Sequence, residues 1–173
     1  MKRILVIGSG GSGKTTFSKK LAERTGLPLY HLDALYWKPG WKEPEKAEWR
    51  AGVDALVRRD EWIIDGNYSG TFDLRIPRAD LIVFLDIPAY RCIWNILKRR
   101  LQYSGMPRPD MAPGCPENIG FDFLIWVWQY PKKNRPKVLE AIRNLKAAHA
   151  KVLIFNSYEA MDVYLASATP TSI

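Results

Sequence analysis

The stretch Gly8-Ser9-Gly10-Gly11-Ser12-Gly13-Lys14-Thr15 fits the pattern G-x-x-x-x-G-K-[ST]. An apolar, β-branched run at residues 4–7 precedes it and predicts a buried parallel strand. Apolar residues at helical spacing follow it, and Gly26 is placed to end that helix. The stretch is therefore expected to form the loop between a strand and a helix.

A loop of this kind is suited to binding an anion. Its glycines allow successive backbone N–H groups to point at one place, and the helix N-terminus adds partial positive charge. A polyphosphate fits, with Lys14 reaching its outer phosphates and the Thr15 hydroxyl ligating Mg²⁺. A Gly/Ser-rich turn that matches by chance is disfavoured, because strand, loop and helix agree. The residues predicted to bind the phosphates are Gly8, Gly10, Gly11, Ser12, Gly13, Lys14, Thr15 and Thr16.

Length and composition predict one α/β domain over residues 1–173. No apolar stretch approaches the length needed to cross a bilayer. The chain enters a strand at once and leaves no room for a cleavable signal peptide, so we expect a cytoplasmic protein. Two cysteines, Cys92 and Cys115, agree with a reducing compartment and do not by themselves make a zinc site.

The net charge of +8 is concentrated in one part of the chain. Residues 91–151 hold twelve Lys and Arg against four Asp and Glu, whereas the rest of the chain has fourteen of each. Such a concentration suits a lid that closes over phosphates or a nucleic-acid footprint. A solvated basic helix face is the third interpretation.

Strand-like and helix-like segments alternate along the chain, which predicts a parallel sheet covered on both faces. Further strands are expected near residues 27–33, 62–66, 81–86 and 151–155. Helices are expected at residues 44–59, 89–103 and 158–165, with others after residues 121 and 135. The helix at 89–103 is expected to turn Ile93, Ile96, Leu97 and Leu101 inward. Residues 104–118 are rich in Pro and Gly and predict a lid-like loop.

Acidic side chains follow three of the expected strands. His31 and Asp33 come at the end of the second and could meet substrate or a water bound to metal. Asp65 ends the third, where an aspartate can hold a water of Mg²⁺. Asp86 offers a second acid for that role, but Pro88 and a long helix follow it, which favours a structural acid at the helix start.

An aromatic, turn-forming segment occupies residues 36–41. Its Trp37 and Trp41 could stack on a planar or sugar-like acceptor, or could pin the segment to the body of the protein. The sequence leaves both interpretations open.

The chain resembles the adenylate-kinase-like branch of P-loop kinases over nearly all of its length, most closely the small bacterial DNA-topology-modulation proteins. The segments that carry the resemblance are residues 8–15, His31-Leu32-Asp33, Trp62-Ile63-Ile64-Asp65-Gly66-Asn67-Tyr68, Arg108-Pro109-Asp110-Met111 and Gly114-Cys115. The resemblance implies a P-loop NTPase three-layer sandwich, with a five-stranded parallel sheet in the order 2-3-1-4-5, flanking helices and a lid insertion. It also implies ATP and Mg²⁺ as cofactors.

Individual residues match parts of the adenylate-kinase pattern. Asp65-Gly66 matches the Asp-Gly pair after the third strand, and Asp86-Ile87-Pro88 matches the Asp-x-Pro after the fourth. Arg99-Arg100 matches the arginine pair at the lid hinge. The resemblance implies that Arg99, and less directly Arg135, closes on the transferring phosphoryl group.

Two departures bear on the acceptor. Adenylate kinases follow the Asp-Gly pair with a Phe-Pro-Arg that grips AMP, and here the sequence is Asn67-Tyr68-Ser69. Asn95 stands where an arginine is usual. Both changes weaken AMP as the acceptor and leave room for a hydroxyl compound, with Asp33 orienting or deprotonating the hydroxyl.

The sequence therefore predicts a kinase that transfers phosphate from ATP to a small acceptor, which is a nucleoside, a nucleotide or another hydroxyl compound. The alternative is a nucleotide-dependent DNA-binding, topology-modulating ATPase, although no helix-turn-helix or zinc-finger motif supports it. The predicted catalytic residues are Lys14, Asp33, Arg99 and Arg135. The predicted substrate-binding residues are His31, Asp33, Asp65, Gly66, Asn67, Tyr68 and Arg75. The predicted metal site is Thr15 with Asp65, which acts through a water.

Overall fold

The computed structural model describes residues 1–102, 114–115 and 120–167. Its strands form one parallel sheet in the order β2-β3-β1-β4-β5, as predicted. The strands are β1 (Arg3–Gly8), β2 (Leu29–His31), β3 (Trp62–Asp65), β4 (Leu81–Leu85) and β5 (Lys151–Phe155). The helices are α1 (Lys14–Thr25), α2 (Leu32–Tyr36), α3 (Lys46–Val57), α4 (Phe72–Arg75), α5 (Ala89–Gln102), α6 (Phe121–Lys133), α7 (Arg135–Leu145) and α8 (Tyr158–Ser167).

The central strand β1 is buried on both faces of the sheet. Its residues alternate between two apolar clusters, because successive side chains of a strand point to opposite faces. Leu5 and Ile7 belong to the cluster that includes α3 and α7. Ile4 and Val6 belong to the cluster formed with α1, α5 and α8. Helices therefore cover both faces, and the carboxyl ends of all five strands meet at one edge of the sheet.

Helix α1 begins and ends where the sequence predicts. Gly13 precedes it with φ 89°, and Gly26 ends it with φ 72°. Both values lie in the left-handed region that favours glycine. The Gly26 N–H donates to the Ala22 carbonyl and closes the last turn.

The predicted orientation of α5 is only partly correct. Ile96 is buried as expected, but Leu97 is 40% exposed and Leu101 is 82% exposed. They lie on one outward stripe with Tyr90 and Trp94. Apolar residues occupy opposite faces of this helix. The small Cys92 is buried in the apolar cluster on the sheet, and Leu101 is on the exposed face. Periodicity alone does not tell which apolar face is buried.

The second strand is shorter than predicted. It ends at His31, and Asp33 lies in the short helix α2. Of the predicted lid-like loop at 104–118, only Gly114 and Cys115 lie among the described residues, and Arg108-Pro109-Asp110-Met111 lies outside them. Within the described part of the chain, no helix combines the length and the apolar character needed to span a membrane.

Candidate active site

The predicted phosphate-binding loop joins β1 to α1 at the carboxyl edge of the sheet. Gly11 and Gly13 have φ of 74° and 89°, and Lys14, Thr15 and Thr16 begin the first turn of α1. Gly13 has no side chain to cap the helix, so the first N–H groups of this twelve-residue helix have no partner within it. The Lys14 Nζ donates to the Ser9 carbonyl at 2.9 Å. The loop thus offers backbone donors and one ammonium group at the same place.

Neighbouring atoms lie too close to two of the loop glycines to admit a side chain. A Cβ on Gly11 would lie 2.3 Å from the Cys92 carbonyl oxygen, and a Cβ on Gly8 would lie 2.7 Å from the Ser12 Oγ. The Ser9 and Ser12 hydroxyls are buried and have no hydrogen-bond partner within the described residues. The close packing, the helix N-terminus and the lysine fit the phosphate groups of a nucleotide.

The structure brings together His31 and Asp65, which the sequence places at the ends of different strands. The two residues are in register between β2 and β3, and His31 Nδ1 lies 3.0 Å from Asp65 Oδ2. Asp65 also pairs with Val6, two residues before Gly8. Asp65 is therefore a buried carboxylate one strand away from the phosphate loop. No group of three or more His, Cys, Asp or Glu side chains that could hold a metal ion lies in the ranges the structure describes.

Asp33 and Tyr68 form the second pair at this edge. The Tyr68 hydroxyl donates to Asp33 Oδ1 at 2.8 Å, and Asp33 is exposed. Burial of the phenol raises the pKa of Tyr68, and the nearby charge of Asp33 raises it further. The phenol thus remains a protonated donor that fixes one oxygen of the carboxylate.

The Tyr68 ring belongs to a connected group of four aromatic rings. The Tyr36 ring centroid lies 5.0 Å from Trp37, 5.0 Å from Trp49 and 4.8 Å from Tyr68. Trp49 and Tyr68 are themselves 5.3 Å apart. We call Tyr36, Trp37, Trp49 and Tyr68 the aromatic cluster. All four residues are partly buried.

Arg75, predicted to bind substrate, is bonded to the backbone that directly follows β3. Its side chain is fully buried, and Nη1 and Nη2 donate to the carbonyls of Gly66, Asn67 and Tyr68. Its Nε donates to Thr71 Oγ1 at 3.0 Å. Burial lowers the pKa of Arg75 to about 9, so it stays protonated at neutral pH. The sequence predicts that Arg75 binds substrate, whereas its guanidinium holds the loop that carries Asn67 and Tyr68.

Arg135 and Asp86 form an ion pair at the end of β4. The Arg135 Nε donates to Asp86 Oδ1 at 2.9 Å and to Oδ2 at 2.8 Å. This contact joins the start of α7 to the sheet and supports the structural interpretation of Asp86. Arg99 lies in the last turn of α5 and is partly buried.

Two contacts to the phosphate-binding loop could not be predicted from the sequence. The Asn95 Nδ2 donates to the Gly11 carbonyl at 2.9 Å and to the Tyr158 hydroxyl at 2.7 Å. Phe123 of α6 lies against Gly10, where a Cβ would come 2.5 Å from its Cζ. The aromatic residues at 121–130 predict that this helix packs against the body of the protein. The sequence does not show that the phosphate-binding loop is its partner.

Trp37 and Trp41 pack on each other at 5.2 Å, beside the buried Cys115. The Cys115 thiol donates to the Lys38 carbonyl, and the Gly40 N–H donates to the Gly114 carbonyl. These contacts favour the interpretation that the tryptophans pin the segment at 36–41. Trp37 also belongs to the aromatic cluster.

No protein-family model matches the chain, and no curated protein matches it. Solved structures do match. A shikimate kinase from Acinetobacter baumannii, in complex with shikimate, superposes with a TM-score of 0.60 at 15% identity over 94% of this chain and 88% of that chain. A gluconokinase from Sinorhizobium meliloti superposes with a TM-score of 0.52 at 17% identity, over 95% of this chain and 87% of that chain.

A third match is a deoxyadenosine kinase from M. mycoides with bound dATP, with a TM-score of 0.52 at 10% identity over 95% of this chain and 97% of that chain. Likeness at such low identity is evidence of a shared fold. Together with the strand order 2-3-1-4-5, it shows that this chain has the α/β fold of the small-molecule P-loop kinases.

Proposed function

We propose that this chain transfers the terminal phosphoryl group of ATP to a hydroxyl group of a small acceptor. One observation carries the proposal. The strand order sets the phosphate loop after β1 at the same edge as the exposed Asp33 carboxylate, which Tyr68 orients. Phosphoryl transfer needs a held phosphate tail and a positioned hydroxyl, and few other groups.

Each residue has a distinct part in this proposal. Lys14 leaves the Ser9 carbonyl, donates to the phosphates of bound ATP instead and balances their negative charge. Asp33 accepts a hydrogen bond from Tyr68 on Oδ1, and its Oδ2 would accept the proton of the acceptor hydroxyl. The buried Asp65 keeps its orientation through His31.

Mg²⁺ fits the donors at this edge. Thr15 in the first turn of α1 would hold it directly, and Asp65 would hold it through a water. When bound, the ion would neutralise charge on the phosphate oxygens. Arg99 and Arg135 are the candidates for further charge stabilisation, and Arg135 would have to leave Asp86 to take part.

The matched structures support this assignment. They include kinases of this fold solved with shikimate and with dATP. Their different substrates leave the acceptor of this chain to be decided from its own residues.

The test is acceptor-dependent formation of ADP across a panel of nucleosides, nucleotides and sugars. We expect Lys14→Ala and Asp33→Asn each to lower kcat/KM by about 10²-fold or more. Tyr68→Phe keeps the ring and removes only the donor to Asp33, so it should cost less than Asp33→Asn. Undiminished transfer in both Lys14→Ala and Asp33→Asn would refute the proposal.

A further inference from the structure

The arginines that border the acceptor edge are bonded to internal partners. Arg75 is fully buried and gives its guanidinium to the loop that carries Tyr68. Arg50 of α3, next to Trp49 of the aromatic cluster, is bonded to the Asp73 carboxylate through both Nη atoms. Both guanidinium groups lie next to residues of the predicted acceptor site; Arg75 is closed to a ligand, whereas Arg50 is held in an exposed ion pair.

Other basic residues of the same region are engaged in the same way. The Arg59 guanidinium donates to the Tyr30 hydroxyl at 2.8 Å and lies over the Tyr30 ring. Lys38 of the aromatic segment is paired with Glu48 at 2.9 Å. An anionic ligand would therefore compete with Glu48 for Lys38 and with Asp73 for Arg50.

The described residues predicted to bind the acceptor include one exposed carboxylate and an aromatic side chain that holds it. Asp33 is an exposed carboxylate, and it is held in place by a member of the aromatic cluster. A carboxylate repels a second anion at close range. Aromatic faces favour the apolar faces of sugar rings and the planes of nucleobases.

We propose that the acceptor of this chain carries no negative charge where the protein recognises it. The acceptor is then a neutral hydroxyl compound of the nucleoside or sugar class, and not a hydroxy acid or a phosphate monoester. This inference rests on the proposed phosphoryl transfer, and it goes further by selecting among the acceptors which that reaction allows.

The experiment compares matched pairs that differ in one anionic group. One pair is a nucleoside and its 3′-monophosphate, which keeps the 5′-hydroxyl, and another is an aldose and the uronic acid with the same number of carbons, which keeps the sugar ring. In the pair that the protein phosphorylates, we expect kcat/KM to be at least 100-fold higher for the neutral member than for the anionic one. Binding is measured independently through tryptophan fluorescence, since Trp37 and Trp49 belong to the aromatic cluster next to Asp33 and Tyr68.

The variant Asp33→Asn adds a second readout. It removes the repelling charge, so the ratio of the two binding constants within a pair should fall at least tenfold, even though turnover is also lost. Trp128→Phe is the matched control, because Trp128 is exposed on α6 and belongs to no part of the site. It should leave the ratio unchanged.

Different failures have different signatures. Transfer to anionic members equal to or faster than transfer to neutral members would overturn the inference and leave the kinase proposal intact. Tight binding of neutral members without any transfer would refute the kinase proposal and leave the recognition of neutral compounds standing. If neutral compounds neither bind nor react, the inference is wrong.

Discussion

Arg75 carries a positive charge in the interior, where three of its hydrogen bonds hold residues 66–68 and a fourth goes to the Thr71 hydroxyl. Replacing it with Met keeps the volume but leaves three carbonyls and one hydroxyl without their donor. We expect Arg75→Met to lower the free energy of unfolding by about 3 kcal/mol or more, since each buried group left unsatisfied has a cost. Denaturant unfolding measures this change.

The matched control for Arg75 is Arg58→Met. Arg58 is 64% exposed and makes an ion pair with Asp54 one helical turn away. Such surface pairs contribute little, so the denaturation midpoint should barely move. Arg75→Lys separates charge from geometry, because an ammonium group cannot reproduce the planar fork. A midpoint of Arg75→Met close to that of Arg58→Met would contradict this role.

Asp80 is predicted to make stability depend on pH. Burial alone would raise its pKa, but hydrogen bonds from the Arg3 side chain and from the backbone N–H groups of Lys2 and Arg3 lower it to about 2. A carboxyl group whose pKa is lower in the folded state contributes stability above its unfolded pKa and loses that contribution as pH falls.

The variant Asp80→Asn should therefore lose about 2 kcal/mol at pH 7. The difference from the natural protein should shrink as pH falls from about 4 towards 2, where Asp80 becomes protonated. Unfolding free energies measured at several pH values test this. A difference that does not change with pH would show that Asp80 acts through packing alone.

Residues at strand ends could be predicted from the sequence, and residues that act through distant contacts could not. His31 and Asp65 come together because parallel strands end at one edge, which is a rule of topology. Asn95 reaches Gly11 across 84 positions, and a single Asn on an amphipathic helix carries no sign of its partner. The burial of Arg75 could not be predicted either, because arginine is rarely fully buried and its carbonyl partners leave no pattern in the sequence.

At the scale of elements, α6 rests directly on the phosphate loop. The Phe123 ring occupies the place that a side chain at Gly10 would take. We expect Gly10→Ala to weaken ATP binding by about tenfold, because α6 must shift to admit the methyl group. Removing the ring in the variant Gly10→Ala/Phe123→Ala should recover most of the affinity, which calorimetry can measure.

Gly11→Ala is the control for this pair. Its Cβ would meet the backbone carbonyl of Cys92, and its φ of 74° disfavours any side chain. Phe123→Ala should therefore not rescue it. If Phe123→Ala restored Gly11→Ala as well as Gly10→Ala, the effect would be a general loosening of α6 and not relief of a specific contact.

The strands were predictable as elements because each is a short apolar run bounded by polar or turn residues. The helix after β2 was not predicted, since Leu32–Tyr36 also continues the strand-like run. The buried face of α5 was only partly predicted, because Trp94 and Leu101 are as apolar as the residues that face the core. Tertiary packing decides such cases.

At the scale of the whole molecule, the positive charge of residues 91–151 keeps its three interpretations: a lid over phosphates, a nucleic-acid footprint and a solvated helix face. Part of that segment lies outside the described residues, and binding of duplex DNA stays a prediction. A titration of binding against salt distinguishes a phosphate-backbone footprint from a nucleotide site, since binding to duplex weakens steeply as salt rises.

The phosphate loop also connects elements from distant parts of the chain. Asn95 of α5 and Phe123 of α6 contact it, and a Cβ on Gly13 would meet Tyr158 and Met161 of α8. A ligand that binds the loop should therefore stabilise the described domain as one cooperative unit.

At a hundredfold excess over its Kd, ATP with Mg²⁺ should add about 2.7 kcal/mol and raise Tm by about 5–10 °C. Lys14→Ala should abolish most of this shift, because it removes the ammonium group that now rests on the Ser9 carbonyl. Scanning calorimetry checks both expectations, with AMP in place of ATP as the control for binding that does not need the phosphate tail. An equal shift in Lys14→Ala would place the nucleotide elsewhere. A second transition that ATP leaves unmoved would mean that part of the structure is not coupled to the loop.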